Sequence, residues 1–388
     1  MSRKIKQQQH CKIFTLSADR KEYERMSYQL TKTQDGLRGN ALNDLMLSGA
    51  AASFEQCQSV VLVHDGCDIR KPYARQMEGL SKVRSLEGNL INGYNTFNTV
   101  AIGPQRLHLV NCTPIGEQAN KQIAFEQISR VSQAFKAANA DMVLTHLIDR
   151  EADDACFFAE IEILQDRYII RARANRVSDV QGWDEEKQKS YPVKLINKQF
   201  DNSFEQRFDK FMLVGKCHQQ VLARIEYERV WVGGKWRYGV KVRLFNREGK
   251  PLYKDAILLI TNIVVDNEQM ALYVYKLYLQ RSKIEGVFKF LKQSLGWEQF
   301  QVQQLVAIKN LILLCFFIGS YFYELEPELT KNEFMITLCQ MAGGKGKVTR
   351  HFFLKGLQIL AHAQMAQHFF EKENLSLEQI QQLFDLIN

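Results

Sequence analysis

The sequence lacks the features that mark secreted, zinc-binding and membrane-spanning proteins. Its eight cysteines form no C-x-x-C pair and show no regular spacing. No apolar signal segment follows the polar start Met-Ser-Arg-Lys-Ile-Lys. The most apolar stretch, residues 311–322, is well short of the roughly 20 residues needed to cross a bilayer. We therefore expect a cytoplasmic protein with reduced thiols and no membrane partner, in which residues 311–322 form a buried helix.

The positive charge of the chain is concentrated in one region. The 388 residues are 46% hydrophobic, enough for the core of a catalytic domain with appendages, and carry a formal net charge of +8. Residues 166–250 contain 19 basic and 11 acidic residues, an excess equal to that of the whole chain, together with Trp183, Trp231 and Trp236. A basic, aromatic, strand-rich module indicates a surface that grips DNA, and an ordinary solvated sheet is the alternative.

Four polar residues are regularly spaced in residues 278–292. Tyr278, Arg281, Glu285 and Lys292 stand at offsets of 0, 3, 7 and 14. On an α-helix, at about 100° per residue, these offsets bring their side chains within an arc of roughly 60°. The opposite side carries an apolar set predicted to be buried, namely Leu279, Val287, Phe290 and Leu291. The polar side suits a phosphodiester, and a merely solvated helix face is the alternative.

Two aspartates upstream follow apolar runs of strand length. Asp65 ends the run 59–65, and Asp149 ends the similar run 141–149 before Arg-Glu-Ala-Asp. The alternative for Asp65 is a turn residue, and the alternative for Asp149 is the N-cap of the helix predicted after it. The occurrence of all three motifs in this order favours a shared acidic site.

These motifs resemble those of a known enzyme family. The pattern Y-x2-R-x3-E-x6-K and the DREAD segment at Asp149 are similar to the YREK-signature group, family four, of bacterial insertion-sequence DDE transposases. Asp65 and the residues after it resemble the first motif of that group, although Cys67 stands where a small or hydroxyl residue is common. The resemblance implies a bacterial enzyme for cut-and-paste DNA transposition, through strand nicking, hairpin formation and strand transfer. Its expected partners are double-stranded element ends and target DNA, and it would act as a homodimer in a synaptic complex.

The resemblance also implies roles for individual residues. Asp65, Asp149 and Glu285 would be the catalytic residues and the metal ligands. Tyr278, Arg281 and Lys292 would contact the transposon end near the cleavage site, and a tryptophan, Trp231 or Trp236, would hold a flipped base.

Chemistry explains the need for three carboxylates. Phosphoryl transfer at a DNA backbone uses two divalent ions about 3.5–4 Å apart, and carboxylates suit Mg²⁺ or Mn²⁺. Asp65 would bridge the two ions, while Asp149 and Glu285 each complete the shell of one ion. Arg281 could bind a phosphate with two parallel hydrogen bonds, and Lys292 would add a point charge.

The order of predicted elements favours an α/β fold with a ribonuclease H-like catalytic core. We predict strands at 59–69, 92–103 and 105–115, a helix at 121–138, and a strand at 142–148 that ends on Asp149. In that fold the first and fourth strands are neighbours, so the acids at their ends converge. Further predictions are a helix at 153–164 and strands at 168–174, 220–231, 236–245 and 255–263.

The core is predicted to be interrupted by a β-rich insertion between the second Asp and the Glu. The predicted regions are a helical N-terminal region with a DNA-end recognition role (1–55), the first core part (56–175), the insertion (176–251), the second core part (252–325) and a helical C-terminal region (326–388). The C-terminal region could mediate dimerisation or pack on its own domain.

Two functional alternatives remain open at this stage. A structure-selective nuclease on the same fold would cut DNA without joining it, and an inactive or domesticated relative would only bind DNA. Two apparent motifs are set aside: the glycine–lysine run 343–347 lacks P-loop spacing, and His64 points away from Asp65 in a strand, so we expect a structural role.

Overall fold

A computed structural model describes residues 39–104, 106–115, 121–184, 189–213 and 216–372. Most of the predicted N-terminal recognition region therefore lies outside the described residues. The same holds for the last part of the predicted C-terminal helical region, which contains Leu375, Ile380, Leu383 and Leu386.

The described residues form twelve strands and eight α-helices. The strands are β1 Ser59–Arg70, β2 Ser81–Arg84, β3 Leu90–Ile102, β4 Leu107–Ile115, β5 Val143–Ile148, β6 Arg167–Arg171, β7 Val177–Asp184, β8 Lys189–Lys194, β9 Asn202–Leu213, β10 Lys216–Val232, β11 Lys235–Phe245 and β12 Ile257–Thr261. The helices are α1 Gly39–Ser53, α2 Lys121–Ala138, α3 Ala155–Ile163, α4 Glu268–Leu279, α5 Lys283–Gln293, α6 Leu305–Leu329, α7 Glu333–Met341 and α8 Arg350–Lys372.

Ten strands form one mixed sheet, and its first half has the predicted order. Strand β3 pairs antiparallel with β1, β4 pairs with β3, and β5 and β6 follow on the other side of β1 in parallel. Both faces of β1 are buried between Val60 and His64, because helices cover the sheet on both sides. This mixed α/β arrangement is compatible with a ribonuclease H-like core.

The second half of the sheet is antiparallel and lies beyond β6. Strand β12 pairs with β6, and β11, β10 and β9 continue the sheet in that order, while β7 and β8 form a separate two-stranded sheet. The region 176–251 is therefore rich in strands, as the sequence predicts. Three of these strands extend the central sheet instead of forming a sheet of their own, and the division into domains stays a prediction.

Helices cover the two faces of the sheet with separate apolar cores. On one face, residues of α4 to α8 pack against alternate strand residues such as Val61, Val63 and Leu147. On the other face, α2 and α3 pack against Ile148, Ile170 and their neighbours, and α1 joins α2 over β1. Because successive strand residues point to opposite faces, each strand serves both cores.

Helix α6 is longer than the apolar stretch from which it was predicted. By length and composition it could cross a membrane, but 56% of its most apolar window is buried inside the protein. Its residues Ile308, Ile312 and Phe316 are fully buried in the core shared with α4 and α5. Burial of this kind is typical of a core helix, and an apolar core explains the composition.

Candidate active site

The first two acids lie side by side at one edge of the sheet. Strands β1 and β5 are parallel neighbours, and His64 is in register with Ile148. Asp65 and Asp149 each follow by one residue, so parallel pairing brings them to the same level. β1 continues through Asp65 to Arg70, whereas β5 stops at Ile148.

Asp149 does not have the helix-capping role that was the alternative interpretation of this residue. Asp149 occupies the N-cap position of a short 3₁₀ turn, Arg150–Ala152, but its side chain makes no capping hydrogen bond. The N-cap of α3 is Asp154, whose side chain accepts a hydrogen bond from the amide of Cys156. The carboxylate of Asp149 is therefore free of a capping task.

The segment that carries the third acid, residues 278–292, forms parts of two helices instead of one. Helix α4 ends at Leu279, a 3₁₀ turn spans Gln280–Ser282, and α5 begins at Lys283. The Ser282 hydroxyl donates to the carbonyl of Leu279 at 2.9 Å and competes with the amides that would continue the helix. The expectation of one continuous α-helix over residues 278–292 was therefore wrong, and Tyr278, near the end of α4, is buried.

The three acids meet on the guanidinium group of Arg281. Its Nη2 atom lies 2.7 Å from Asp65 Oδ2 and 3.5 Å from Asp149 Oδ2, and its Nη1 atom donates to Glu285 Oε1. Arg281, Asp65 and Asp149 are largely buried, while the Glu285 side chain is 55% exposed. We call these four residues the acid site. Three segments that are distant in sequence thus converge within reach of one side chain.

The acid site holds more negative charge than one arginine can balance. Burial raises the pKa of the Asp65 carboxyl to about 7, and nearby Asp149 and Glu151 add to the rise although Arg281 opposes it. Asp149 Oδ1 is buried without a hydrogen-bond partner, and a guanidinium nitrogen of Arg171 lies 3.9 Å from it. An additional cation would stabilise both carboxylates.

The donor set fits a hard divalent cation. Asp65, Asp149 and Glu285 offer only carboxylate oxygens, which Mg²⁺ and Mn²⁺ prefer, and the unpartnered Asp149 Oδ1 could accept such an ion. Within the residues that the structure describes, no three acidic, histidine or cysteine side chains are already arranged around an ion position. The position between the carboxylates is taken by Arg281.

The remaining signature residues point inward. Burial raises the pKa of the Tyr278 hydroxyl above its usual range, and Asp149 contributes to the rise. The Lys292 ammonium donates to the backbone carbonyl of Asp68 and pairs with Glu298. Contacts of Tyr278, Arg281 and Lys292 with DNA therefore stay predictions.

Three residues at the site were not predicted from the sequence. Arg171, at the end of β6, faces Asp149 and Tyr278; Glu151 adds negative charge beside Asp65; and Glu298 pairs with Lys292. For Glu151 the signal was available, since it lies inside the DREAD segment. Arg171 and Glu298 lie in no motif, and only the pairing of strands and helices brings them to the acids.

The two candidate tryptophans lie together beside the β10–β11 turn. Trp231 and Trp236 are cross-strand partners with ring centroids 5.3 Å apart, and Arg229 lies over the Trp236 ring at 5.4 Å. Trp236 is 54% exposed, whereas Trp231 is partly buried. A base could stack more readily on Trp236, but its role with DNA stays a prediction.

His64 has structural contacts, in line with its predicted orientation. Its Nδ1 atom is 2.8 Å from Thr99 Oγ1, and its Nε2 atom is 2.8 Å from Nδ1 of His146. His146 Nε2 lies 3.0 Å from Asp166 Oδ2. We call His64, His146 and Asp166 the histidine chain; it lies on the face of β1 and β5 opposite the acid site.

Comparisons with known proteins give little further guidance. No protein-family model matches the sequence, and no curated protein matches it. Among solved structures, the chain is similar to piggyBac transposase in a synaptic complex with hairpin DNA, with a TM-score of 0.39 and 9% sequence identity. The similarity covers 84% of this chain and 56% of that transposase, so the chain spans little more than half of its length. A likeness this distant carries no functional argument.

Proposed function

We propose that the protein is a metal-dependent DNA transposase that uses Asp65, Asp149 and Glu285 as its catalytic acids. The observation that carries the proposal is the convergence of these three carboxylates on Arg281. The sequence motifs identify the three residues, and their proximity in the structure supports a shared role. The excess negative charge of the site supports a requirement for further cations.

Each residue has a distinct part in the proposed chemistry. Asp65 and Asp149, fixed by the pairing of β1 and β5, would hold the metal pair from the sheet, and Glu285 would approach from α5. Two bound Mg²⁺ or Mn²⁺ ions would activate the attacking oxygen and stabilise the leaving oxygen of an in-line displacement. Arg281 would orient a backbone phosphate, since its fork matches two phosphate oxygens.

The resemblance supplies the order of reactions. A water molecule would nick one strand at the end of the element and release a 3′-hydroxyl, which would attack the opposite strand and form a hairpin. The hairpin would be reopened before strand transfer into target DNA. We propose that these steps take place in the cytoplasm of a bacterium, on a homodimer that holds both element ends.

A strand-transfer assay tests the proposal. The purified protein is incubated with Mg²⁺ and labelled DNA that carries the inverted repeats flanking its gene. Cleavage followed by joining supports the transposase. Cleavage without joining would instead identify a nuclease, and metal-independent binding alone would identify an inactive relative.

The matched variant for this assay is Glu285→Ala. Because the Glu285 side chain is half-exposed, we expect the protein to fold and to bind DNA while cleavage is lost. Unchanged turnover would remove Glu285 from the catalytic set.

The role of Arg281 requires a separate measurement. If it binds a phosphate, Arg281→Ala should weaken DNA binding and reduce the slope of log K against log salt by about one phosphate contact. An unaltered slope would mean that Arg281 serves the carboxylates alone.

A further inference from the structure

Strand β1 continues beyond Asp65 and contacts the end of helix α5. The Lys292 Nζ atom donates to the backbone carbonyl of Asp68 at 2.5 Å, and its side chain is only 16% exposed. Lys292 also pairs with Glu298 Oε1 at 3.1 Å. The ammonium group of Lys292 therefore links the end of α5 both to β1 and to Glu298 in the protein without DNA.

Glu298 also contacts both β1 and α5. Its Oε1 atom accepts a hydrogen bond from the backbone amide of Arg70 at 3.1 Å. Its backbone carbonyl accepts a hydrogen bond from Lys71 Nζ at 2.7 Å, and the same ammonium donates to the carbonyl of Phe300 and lies over its ring. The end of β1 is thus fastened to the chain that follows α5.

The positions of these contacts relate them directly to the acids. Asp68 lies three residues after Asp65, about 10 Å along a strand. Lys292 lies seven residues after Glu285, about 10 Å along a helix. The hydrogen bond between Asp68 and Lys292 therefore joins β1 and α5 at points that lie equally far from Asp65 and Glu285. This contact does not involve Arg281.

We propose that Lys292 and Glu298 form a clamp that sets the position of Glu285 relative to Asp65, with Lys292 acting as a positioning residue. The effect of the clamp on catalysis rests on the function proposed above. The clamp itself is a property of the protein without DNA or metal.

Two other roles for Lys292 predict different measurements. A lysine that binds phosphate contributes to DNA affinity and its salt dependence, while a lysine that only stabilises the fold lowers the fraction of folded protein. A positioning lysine lowers kcat of folded protein and leaves KM and the salt slope unchanged, because misplaced acids affect the transition state.

The experiment compares Lys292→Met with Lys292→Arg, Glu298→Gln and the control Lys289→Met, which removes an exposed lysine of the same helix. Hydrogen exchange is measured on the proteins without DNA, and DNA cleavage is measured over a range of DNA and salt concentrations. We expect Lys292→Met to speed exchange in residues 283–293 and to lower kcat by about 10- to 100-fold, as loss of a supporting contact does at metal sites. KM and the salt slope should stay unchanged.

The other variants sharpen this result. Lys292→Arg should recover much of kcat because it keeps a donor for Asp68 and a charge for Glu298, Glu298→Gln should show a smaller loss, and Lys289→Met should show none. Unchanged exchange in Lys292→Met overturns the clamp whether or not the protein acts on DNA. Faster exchange with normal kcat, or a reduced salt slope, overturns the positioning role. Absence of activity in the unsubstituted protein would contradict the proposed function, and with it the catalytic part of this proposal.

Discussion

The buried carboxylates on the two faces of the β1–β5 pair differ in their hydrogen-bond partners. On one face the acid site leaves a buried oxygen of Asp149 without a hydrogen bond, and burial raises the pKa of Asp65 to about 7. On the other face, Asp166 accepts hydrogen bonds from Ser132 and His146 and pairs with Lys136 at 2.7 Å. Strands β1 and β5 contribute His64 and His146 to this second arrangement.

The difference in pKa follows from the difference in partners. Burial opposes ionisation of Asp166, but hydrogen bonds from His146, Lys136 and Ser132 lower its pKa below the usual value. Asp65 has one strong partner and two acidic neighbours, so burial prevails. A buried carboxylate with several hydrogen-bond donors stabilises the fold, whereas one with an oxygen that lacks a partner can accept a cation.

The largest contrast should appear in activity. Asp65→Asn keeps the side-chain shape but removes a metal ligand, so we expect DNA cleavage to fall by about 10⁴-fold or more. The matched change Asp166→Asn should leave cleavage per folded molecule within a few-fold of the unsubstituted protein. Cleavage rates normalised to the folded fraction check both values. Equal losses of cleavage in the two variants would contradict a catalytic role for only one face.

The next largest effect is the stability loss in Asp166→Asn. The amide cannot balance the charge of Lys136 or accept as many hydrogen bonds, and breaking a buried charge pair typically costs about 3–5 kcal/mol. Urea unfolding followed by circular dichroism measures this loss. A loss below about 1 kcal/mol would show that the histidine chain contributes little to the fold.

Asp65→Asn should change stability in the opposite direction. Because its folded-state pKa is raised to about 7, Asp65 holds a proton in the folded state that the unfolded chain releases at lower pH. Its contribution to stability is therefore lost as the pH rises from about 4 to about 7. Asp65→Asn removes this loss, and we expect a gain of about 2 kcal/mol at pH 8 without metal ions.

The measurement for this prediction is urea unfolding between pH 4 and pH 8 in the presence of a chelator. The difference between Asp65→Asn and the unsubstituted protein should grow with pH and level off above about pH 7. A constant difference would contradict the raised pKa of Asp65.

The smallest expected effect concerns Arg281. Replacing it with Gln leaves three carboxylates without their cation, and we expect a loss of about 1–2 kcal/mol at pH 8 in the presence of a chelator. Magnesium should restore more stability to Arg281→Gln than to the unsubstituted protein, because the ions then need not displace an arginine. Thermal unfolding with and without magnesium tests this, and equal magnesium effects would argue against competition for the carboxylates.

Local patterns were sufficient for much of the fold. Helix α2 begins and ends where its apolar spacing predicts, at Lys121 and Ala138, and β1 ends within one residue of the predicted boundary. The predicted neighbours β1 and β5 are paired in parallel. These features depend on side-chain periodicity and turn residues, which a sequence displays directly.

Other features depend on contacts that no local pattern contains. The 3₁₀ turn after Leu279 interrupts a helical pattern that continues in the sequence, and it leaves Tyr278 buried while Arg281 reaches the acids. Lys292 donates to a carbonyl of β1 and pairs with Glu298, contacts that its motif does not indicate, and its predicted contact with DNA stays a prediction. The β1 partners of Arg281 and Lys292 are 216 and 224 residues away along the chain.

The sequence by itself determined which residues carry charge, many of the strands and helices, and which three acids stand in motif order. Only the tertiary structure decided that Arg281 lies between those acids, that Arg171 and Glu298 join the site, and that Asp166 on the other face is paired with Lys136. The physical reason is that backbone preferences act over a few residues, while the energy of a buried charge depends on every group that folding brings near it.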